Sequence, residues 1–385
     1  RWTMIELALK EHSNLETILM PEEHINILAP NDSSEAIQFF ISDTWNYGVC
    51  SEIIRRWTDI SVSIKKSENE SIFEKFQDLL LKKEKPSILR TMKNCITGSI
   101  SKLWKLLPQK NSYFFSSTGL GIVGLTRLQL SLGVLPAYTV IPDAPSIPYN
   151  VQYRKWDLLA SDTESELENI IRTLLPICMP RTFLEGFFEC TKKIKKLRLV
   201  VDPKVMFTSN DHFSKDLFKI WAMGNLDRGA RLVIGQHGGG AFHKYNAGTS
   251  FELSICDSYI TTGNGNNIAS QIRHVGRFNN SLKLGNYDKN GEAILMTIAM
   301  PRYSFELRAM VLASQMHSYF CDQYSFYQTL RNSIQKKINV RIYPADYGWD
   351  QKKRWIDQFP GVLIDDGRLA TITIKLVLIK KIQPF

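Results

Sequence analysis

Beyond Leu199 the chain alternates between short unbroken apolar runs and longer stretches in which apolar residues return every three or four positions. The runs Lys204–Thr208, Arg231–Gly235, Ser258–Thr262, Ala293–Met300, Val340–Tyr343 and Gly361–Ile364 predict strands. The stretches His212–Met223, Phe305–Phe320, Tyr324–Lys337 and Asp350–Gln358 predict helices. Strands that alternate with helices pair in parallel, because each helix carries the chain back over the sheet. The pattern therefore predicts a doubly wound α/β domain over residues 201–367.

The first half carries stronger helix signals. Ser67-x-x-Glu70 and Ser71-x-x-Glu74 read as capping boxes before an apolar face at Ile72, Phe73, Phe76, Leu79 and Leu80, which Pro86 ends. Ser112–Ser116 predicts a buried strand, and Leu125–Leu135 a helix stopped by Pro136. A loop containing Pro142, Pro145 and Pro148 follows. Ser161-x-x-Glu164 predicts the start of a helix whose core face is Leu167, Ile170, Ile171 and Leu174, broken by Pro176 and Pro180. Phe183, Leu184, Phe187 and Phe188 predict the apolar stripe of the next helix. Residues 1–200 are thus read as a helix-rich N-terminal α/β domain and 201–367 as a C-terminal one. The Ile/Leu/Lys/Thr-rich stretch 368–385 is read as an atypical tail.

The chain has 385 residues, enough for two cores, and its 44% hydrophobic and 22% charged content is that of a folded globular protein. No apolar run is long enough to span a bilayer, and no signal peptide opens the sequence. Six scattered cysteines without a C-x-x-C pair read as reduced thiols, which predicts a cytoplasmic protein. A net charge of +10 points to an anionic partner. Lys192–Arg198 and the cluster Lys82–Lys85 are not interleaved with stacking aromatics, so nucleic acid is disfavoured and peripheral contact with a membrane surface is preferred. Either cluster is also compatible with a solvated helix face.

The most informative segment is Arg231-Leu-Val-Ile-Gly-Gln-His-Gly-Gly-Gly240, an apolar strand that runs into a polar pair and three glycines. In a doubly wound sheet, ligands bind where strand C-termini open into loops. Gly238, Gly239 and Gly240 let backbone N–H groups face an anion, and His237 can act as an acid/base or contact a phosphate. Gln236 is placed to orient substrate hydroxyls. A tight turn with a satisfied histidine is the structural alternative. Thr249-x-x-Glu252 predicts a capped helix start whose dipole would add to the anion site.

Thr208-Ser-Asn-Asp-His212 is a second junction of this type, where Ser209 and Asn210 contact substrate or merely cap a helix, and His212 is a second acid/base candidate. Arg277 and Arg302 each follow a strand and are candidate phosphate partners. Asp346, in Tyr343-Pro-Ala-Asp-Tyr-Gly-Trp349, is a candidate sugar contact, although that turn could equally pack on the sheet. Gly119-Leu-Gly-Ile-Val-Gly124 matches G-x-G-x-x-G without a clear second strand ending at Asp143, and we read it as a chance match. No cofactor is assigned. The absence of zinc-ligand spacing, Walker A, G-x-S-x-G and D-x-D predicts chemistry without a metal, with backbone N–H groups and Arg/Lys neutralising a leaving group.

The segments Ser42-Asp-Thr-Trp-Asn46, Leu128-Gln-Leu-Ser-Leu-Gly133, Leu175-Pro176, Phe183-Leu-Glu185, Phe207-Thr-Ser-Asn210, Gly235-Gln-His-Gly-Gly239 and Tyr343-Pro-Ala-Asp-Tyr-Gly-Trp349 resemble the surface-carbohydrate (O-antigen) transferase family of leptospiral type. The resemblance implies two Rossmann-like domains of the GT-B type and a role in building surface polysaccharide; with the QHGGG loop it leads to the expectation of sugar transfer from a nucleotide-activated donor to a surface-polysaccharide, glycan or lipid-linked acceptor, with peripheral contact at the inner membrane surface. It ends after Asp365-Asp366-Gly367. Together with Arg1 in place of an initiator Met, this predicts a chain truncated at both ends. A polyol-phosphate transferase and a non-catalytic, truncated sugar- or nucleotide-binding protein are the alternatives.

Overall fold

A computed structural model describes residues 2–12, 15–62, 113–158, 165–197, 199–238, 247–263, 269–275, 293–303 and 311–367. The capping-box helix after Ser67, together with Gly239, Gly240, Arg277 and the tail from Arg368, lies outside these residues. The chain divides into two units, Arg1–Asn279 and Asn280–Phe385.

In the first unit, helices α1 (Trp2–Glu11), α2 (Ser33–Phe40) and α3 (Asp43–Trp57) accompany a two-stranded parallel sheet of β1 (Glu16–Thr17) and β2 (Ser61–Val62). The Asp32 carboxylate accepts the Glu35 N–H at 2.9 Å and starts α2, and the Ser42 hydroxyl starts α3 in the same way through Trp45 N–H. Met20, Leu28, Phe39, Trp45, Val49 and Ile53 form their core, closed by Ile170 of α5 (Glu166–Cys178). Each such fully buried side chain contributes about 1.5–3 kcal/mol of transfer free energy.

The larger sheet has five parallel strands in the order β3 (Tyr113–Ser116), β4 (Val205–Thr208), β5 (Arg231–Gly235), β6 (Ser258–Thr261) and β7 (Ile272–His274). Alternation along these strands decides which helices cover which face. Phe114, Met206, Leu232, Ile234 and Tyr259 share a core with Leu217, Phe218 and Ile220 of α8 (Asp216–Leu226) and Cys190 of α6 (Phe187–Lys196). Their neighbours Phe115, Phe207, Val233 and Ile260 pack instead with Leu125 and Leu128 of α4 (Ile122–Ser131). Both faces are therefore covered, as the near-continuous apolar strands require.

The five-stranded sheet runs across position 200. Tyr113–Ser116 pairs in register with Val205–Thr208, so residues on either side of that point belong to one sheet, and the chain divides at Asn279/Asn280. A short helix α7 (Asp211–Ser214) precedes α8, and α9 (Ala247–Ile255) precedes β6. The helix expected from Ser161 begins one turn later, where the Ser165 hydroxyl accepts the Glu168 N–H at 3.3 Å, and Pro176 is accommodated in its last turn. Of its expected core face, only Ile170 is buried, whereas Leu167 and Ile171 are exposed. Strand β7 was not expected, since three residues with a single buried side chain leave no apolar run to read.

The second unit holds a three-stranded parallel sheet in the order β10 (Leu363–Asp365), β9 (Ile338–Arg341) and β8 (Ala293–Met296). Tyr327 of α10 (Met316–Thr329) and Trp355 of α12 (Gln351–Gln358) pack on Ile338, Val340 and Ile342. The helices expected at Phe305–Phe320 and Tyr324–Lys337 do not divide where periodicity placed them. Residues 316–329 are one helix, followed by α11 (Asn332–Gln335), because the Gln335 amide donates to the carbonyls of Tyr327 and Leu330 and closes the end of α10. No described helix is long and apolar enough to cross a membrane.

Candidate functional site

Because β3 to β7 are parallel, their C-terminal ends open on one edge of the five-stranded sheet. Four successive turns leave that edge, after Ser116, Thr208, Gly235 and Thr261. Backbone bonds tie them together: Ser209 N–H donates to Ser117 O at 3.1 Å, and Gln236 N–H donates to Ile260 O at 2.8 Å.

The turn after β4 has an unexpected division of labour. Thr208, wholly buried, accepts the N–H groups of Asn210 and Asp211 through its hydroxyl and so starts α7. The expected capping by Ser209 or Asn210 is corrected, since Asn210 occupies the cap position without a capping side-chain bond. The buried Ser209 hydroxyl is packed instead beneath the end of β5. A Cβ on Gly235 would stand 2.7 Å from Ser209 Oγ and 2.7 Å from Phe207 Cζ, so glycine is required there by close approach.

His212 is the most constrained group at this edge. Its side chain is 5% exposed, and its Nε2 lies 2.9 Å from Glu252 Oε1 on α9. A carboxylate only accepts, so Nε2–H is the donor and, in the neutral ring, Nδ1 carries the lone pair. That Nδ1 is buried and has no hydrogen-bond partner among the described residues. Tyr259 of β6 is hydrogen-bonded to Glu252 and to Thr249, and burial, reinforced by the Glu252 charge, pushes its phenol up. Burial also pushes the Asp211 carboxyl up, opposed by the neighbouring Ser116 hydroxyl, Lys215 and His212. Thr249-x-x-Glu252 is therefore not the start of a helix. It lies inside α9, and Glu252 reaches across to His212 rather than back to its own helix terminus.

Gln236 and His237 behave differently from each other. The Gln236 carbonyl accepts from Thr261 Oγ1 at 2.6 Å and Thr262 N–H at 3.1 Å, while its amide donates to Gly238 O. The glutamine thus holds the turn and is half-buried, whereas His237 and Gly238 are exposed to solvent. No described residue hydrogen-bonds the His237 ring.

The G-x-G-x-x-G segment lies between β3 and α4, with Gly119 at φ +67° and Gly121 preceding the helix. Asp143, the residue at ribose-binding distance in sequence, is paired with Lys215 at 2.5 Å. Among the described residues, no group of three or more His, Cys, Asp or Glu is placed to hold a metal ion.

Arg302 and Asp346 lie in the second unit. The Asp346 carboxylate accepts the N–H groups of Asp350 and Gln351 at 2.7 and 2.8 Å, so it caps α12. Gly348, at φ +79°, passes under the Arg302 guanidinium, whose Nη2 would stand 3.0 Å from a Cβ there. The Trp349 indole donates to Met300 O at 2.6 Å, so this turn packs on its own sheet. The residues missed from sequence are Glu252, Tyr259 and Thr261. Glu252 and Thr261 act through partners 40 and 25 positions away, beyond any local pattern, and Tyr259 joins them through Glu252.

The chain matches no curated protein and no solved structure. The family model described as LIC12162 family transferase matches residues 1–377, continuing past Gly367, where the resemblance read from motifs ends. With the match covering nearly the whole length, the chain belongs to the LIC12162 family of transferases.

Proposed function

We propose that this transferase is a glycosyltransferase of the GT-B type that moves a sugar from a nucleotide-activated donor to a surface-polysaccharide acceptor of the O-antigen kind. The observation that carries the reading is the His212–Glu252 pair, its imidazole buried at the C-terminal edge of a parallel sheet beside the turn that presents His237. Transfer to a sugar hydroxyl needs a base for the hydroxyl proton and positive or N–H groups for the departing nucleotide phosphate. Glu252 fixes the tautomer and orientation of the His212 ring beneath that turn. His237 serves as the acid/base or phosphate contact, and Gln236 sets its turn. Gly238, Gly239 and Gly240 supply backbone N–H groups, Asn210 contacts substrate hydroxyls, and Arg277 is a phosphate partner. Asp346 contributes by holding its turn.

The test is transfer from a panel of nucleotide-activated sugars and activated polyols to isolated lipid-linked glycan, by the full chain and by His237→Ala. One histidine is worth roughly 100- to 10,000-fold in rate, and a loss of that size with an unchanged circular dichroism spectrum is expected. Near-normal transfer by His237→Ala rejects its role. A product retaining the donor's phosphate identifies a polyol-phosphate transferase instead.

A further inference from the structure

We propose that α6 is a docking surface for a bilayer containing anionic lipids. Its inward face is fixed by Cys190, which is fully buried, and by Ile194, packed against the main core. Its outward face carries Phe188, Lys192 and Lys195, spaced by four and three residues and so aligned along one side, with Lys196 beside them. Phe188 is 73% exposed and Phe187 is 43% exposed, although an aromatic ring gains by leaving water. The helix has four lysines and one acidic residue, Glu189.

Two further exposed apolar side chains flank this helix. Val140 sits on the loop that Lys193 holds through Asp143 O at 2.8 Å, and Val201 follows the helix; they are 77% and 82% exposed. Nearby carboxylates are already neutralised, Asp143 by Lys215 and Asp202 by Arg228, so they do not offset the lysines. Isolated apolar side chains flanked by lysines match the boundary between acyl chains and headgroups. There the ring enters the apolar layer while the lysine stems extend to lipid phosphates. The net charge of +10 adds long-range attraction to the same surface.

This surface is independent of the transfer reading, since vesicle binding needs no substrate. The test is co-sedimentation of the full chain with vesicles of phosphatidylcholine alone and of phosphatidylcholine mixed with phosphatidylglycerol. Binding to the mixed vesicles, weakening as salt rises, is expected. Phe188→Ser lowers that affinity about tenfold or more. Neutralising Lys192, Lys195 and Lys196 to Gln lowers it about fivefold per residue. Val123→Ser, equally surface-placed on α4 at 65% exposure, leaves it unchanged. Absence of binding to mixed vesicles, equal binding to neutral ones, full affinity in both α6 variants, or an equal loss in Val123→Ser overturns the proposal.

Discussion

His212 Nε2 and Glu252 Oε1 meet at 2.9 Å across 40 residues of sequence, joining the turn after β4 to the helix that precedes β6. The pair aligns the imidazole and leaves Nδ1 enclosed without a partner among the described residues. Glu252→Ala removes the acceptor of a buried N–H and is expected to cost about 1–3 kcal/mol in urea unfolding. Glu252→Gln keeps an acceptor and is expected to lose less stability. Its transfer rate, however, falls well below wild type, because an amide that can also donate no longer fixes the ring's tautomer. Equal stability of the Ala variant and wild type would show that the pair does not form.

Gly235→Ala tests the close approach beneath the site. The added Cβ meets Phe207 Cζ and Ser209 Oγ at 2.7 Å, and both side chains are buried. Overpacking of this kind costs about 1–3 kcal/mol, measured as a lowered urea midpoint with an unchanged slope. Gly238→Ala is the matched control, because no atom of the described residues lies within 4 Å of its Cβ position.

Asp216 fastens the N-terminal helices to the sheet. Its fully buried carboxylate accepts from Ser33 N–H at 2.9 Å, Thr182 Oγ1 at 2.6 Å and Lys219 Nζ at 3.1 Å. Asp216→Ala leaves all three donors without their acceptor and is expected to destabilise by about 3 kcal/mol or more. In a double-mutant cycle with Thr182→Val, the two losses are expected to be less than additive. Strict additivity would rule out the shared bond.

Alkaline stability follows from the thiols. Burial pushes Cys178 up from 9.0 to about 12, and Cys190 and Cys256 each up to about 11. Above the ordinary thiol value the unfolded chain releases these protons while the folded chain retains them. Stability is therefore fully present below pH 9.0 and falls as pH rises toward 11 to 12. Urea midpoints measured from pH 8 upward should decline, and Cys178→Ser should flatten the decline. At neutral pH, exposed Cys321 is the described thiol expected to react first with a maleimide, followed by mass spectrometry.

Periodicity located most strands of the large sheet because each is a short apolar run buried on both faces. Val205–Thr208 and Arg231–Gly235 lie within or match the expected ranges, and Ser258–Thr261 differs by one residue. It failed where burial is slight, as at Ile272–His274, and where a distant side chain ends a helix, as Gln335 does for α10. The same division holds at the site. Gln236, His237 and Gly238 stood out because strand, polar pair and glycines are contiguous. Glu252 read as a helix cap, since its true partner is a tertiary neighbour.

The sequence by itself determined the α/β class, the parallel character of a sheet covered on both faces and the loop at which polar residues leave it. Local pattern is enough for these, because strand alternation and glycine clusters are written in consecutive residues. Only the tertiary structure decided that residues on both sides of position 200 share one sheet, that Thr208 rather than Ser209 caps α7, and that Glu252 serves His212. Those outcomes depend on which buried polar groups find partners once the helices close over the sheet, a competition settled by packing rather than by neighbouring residues.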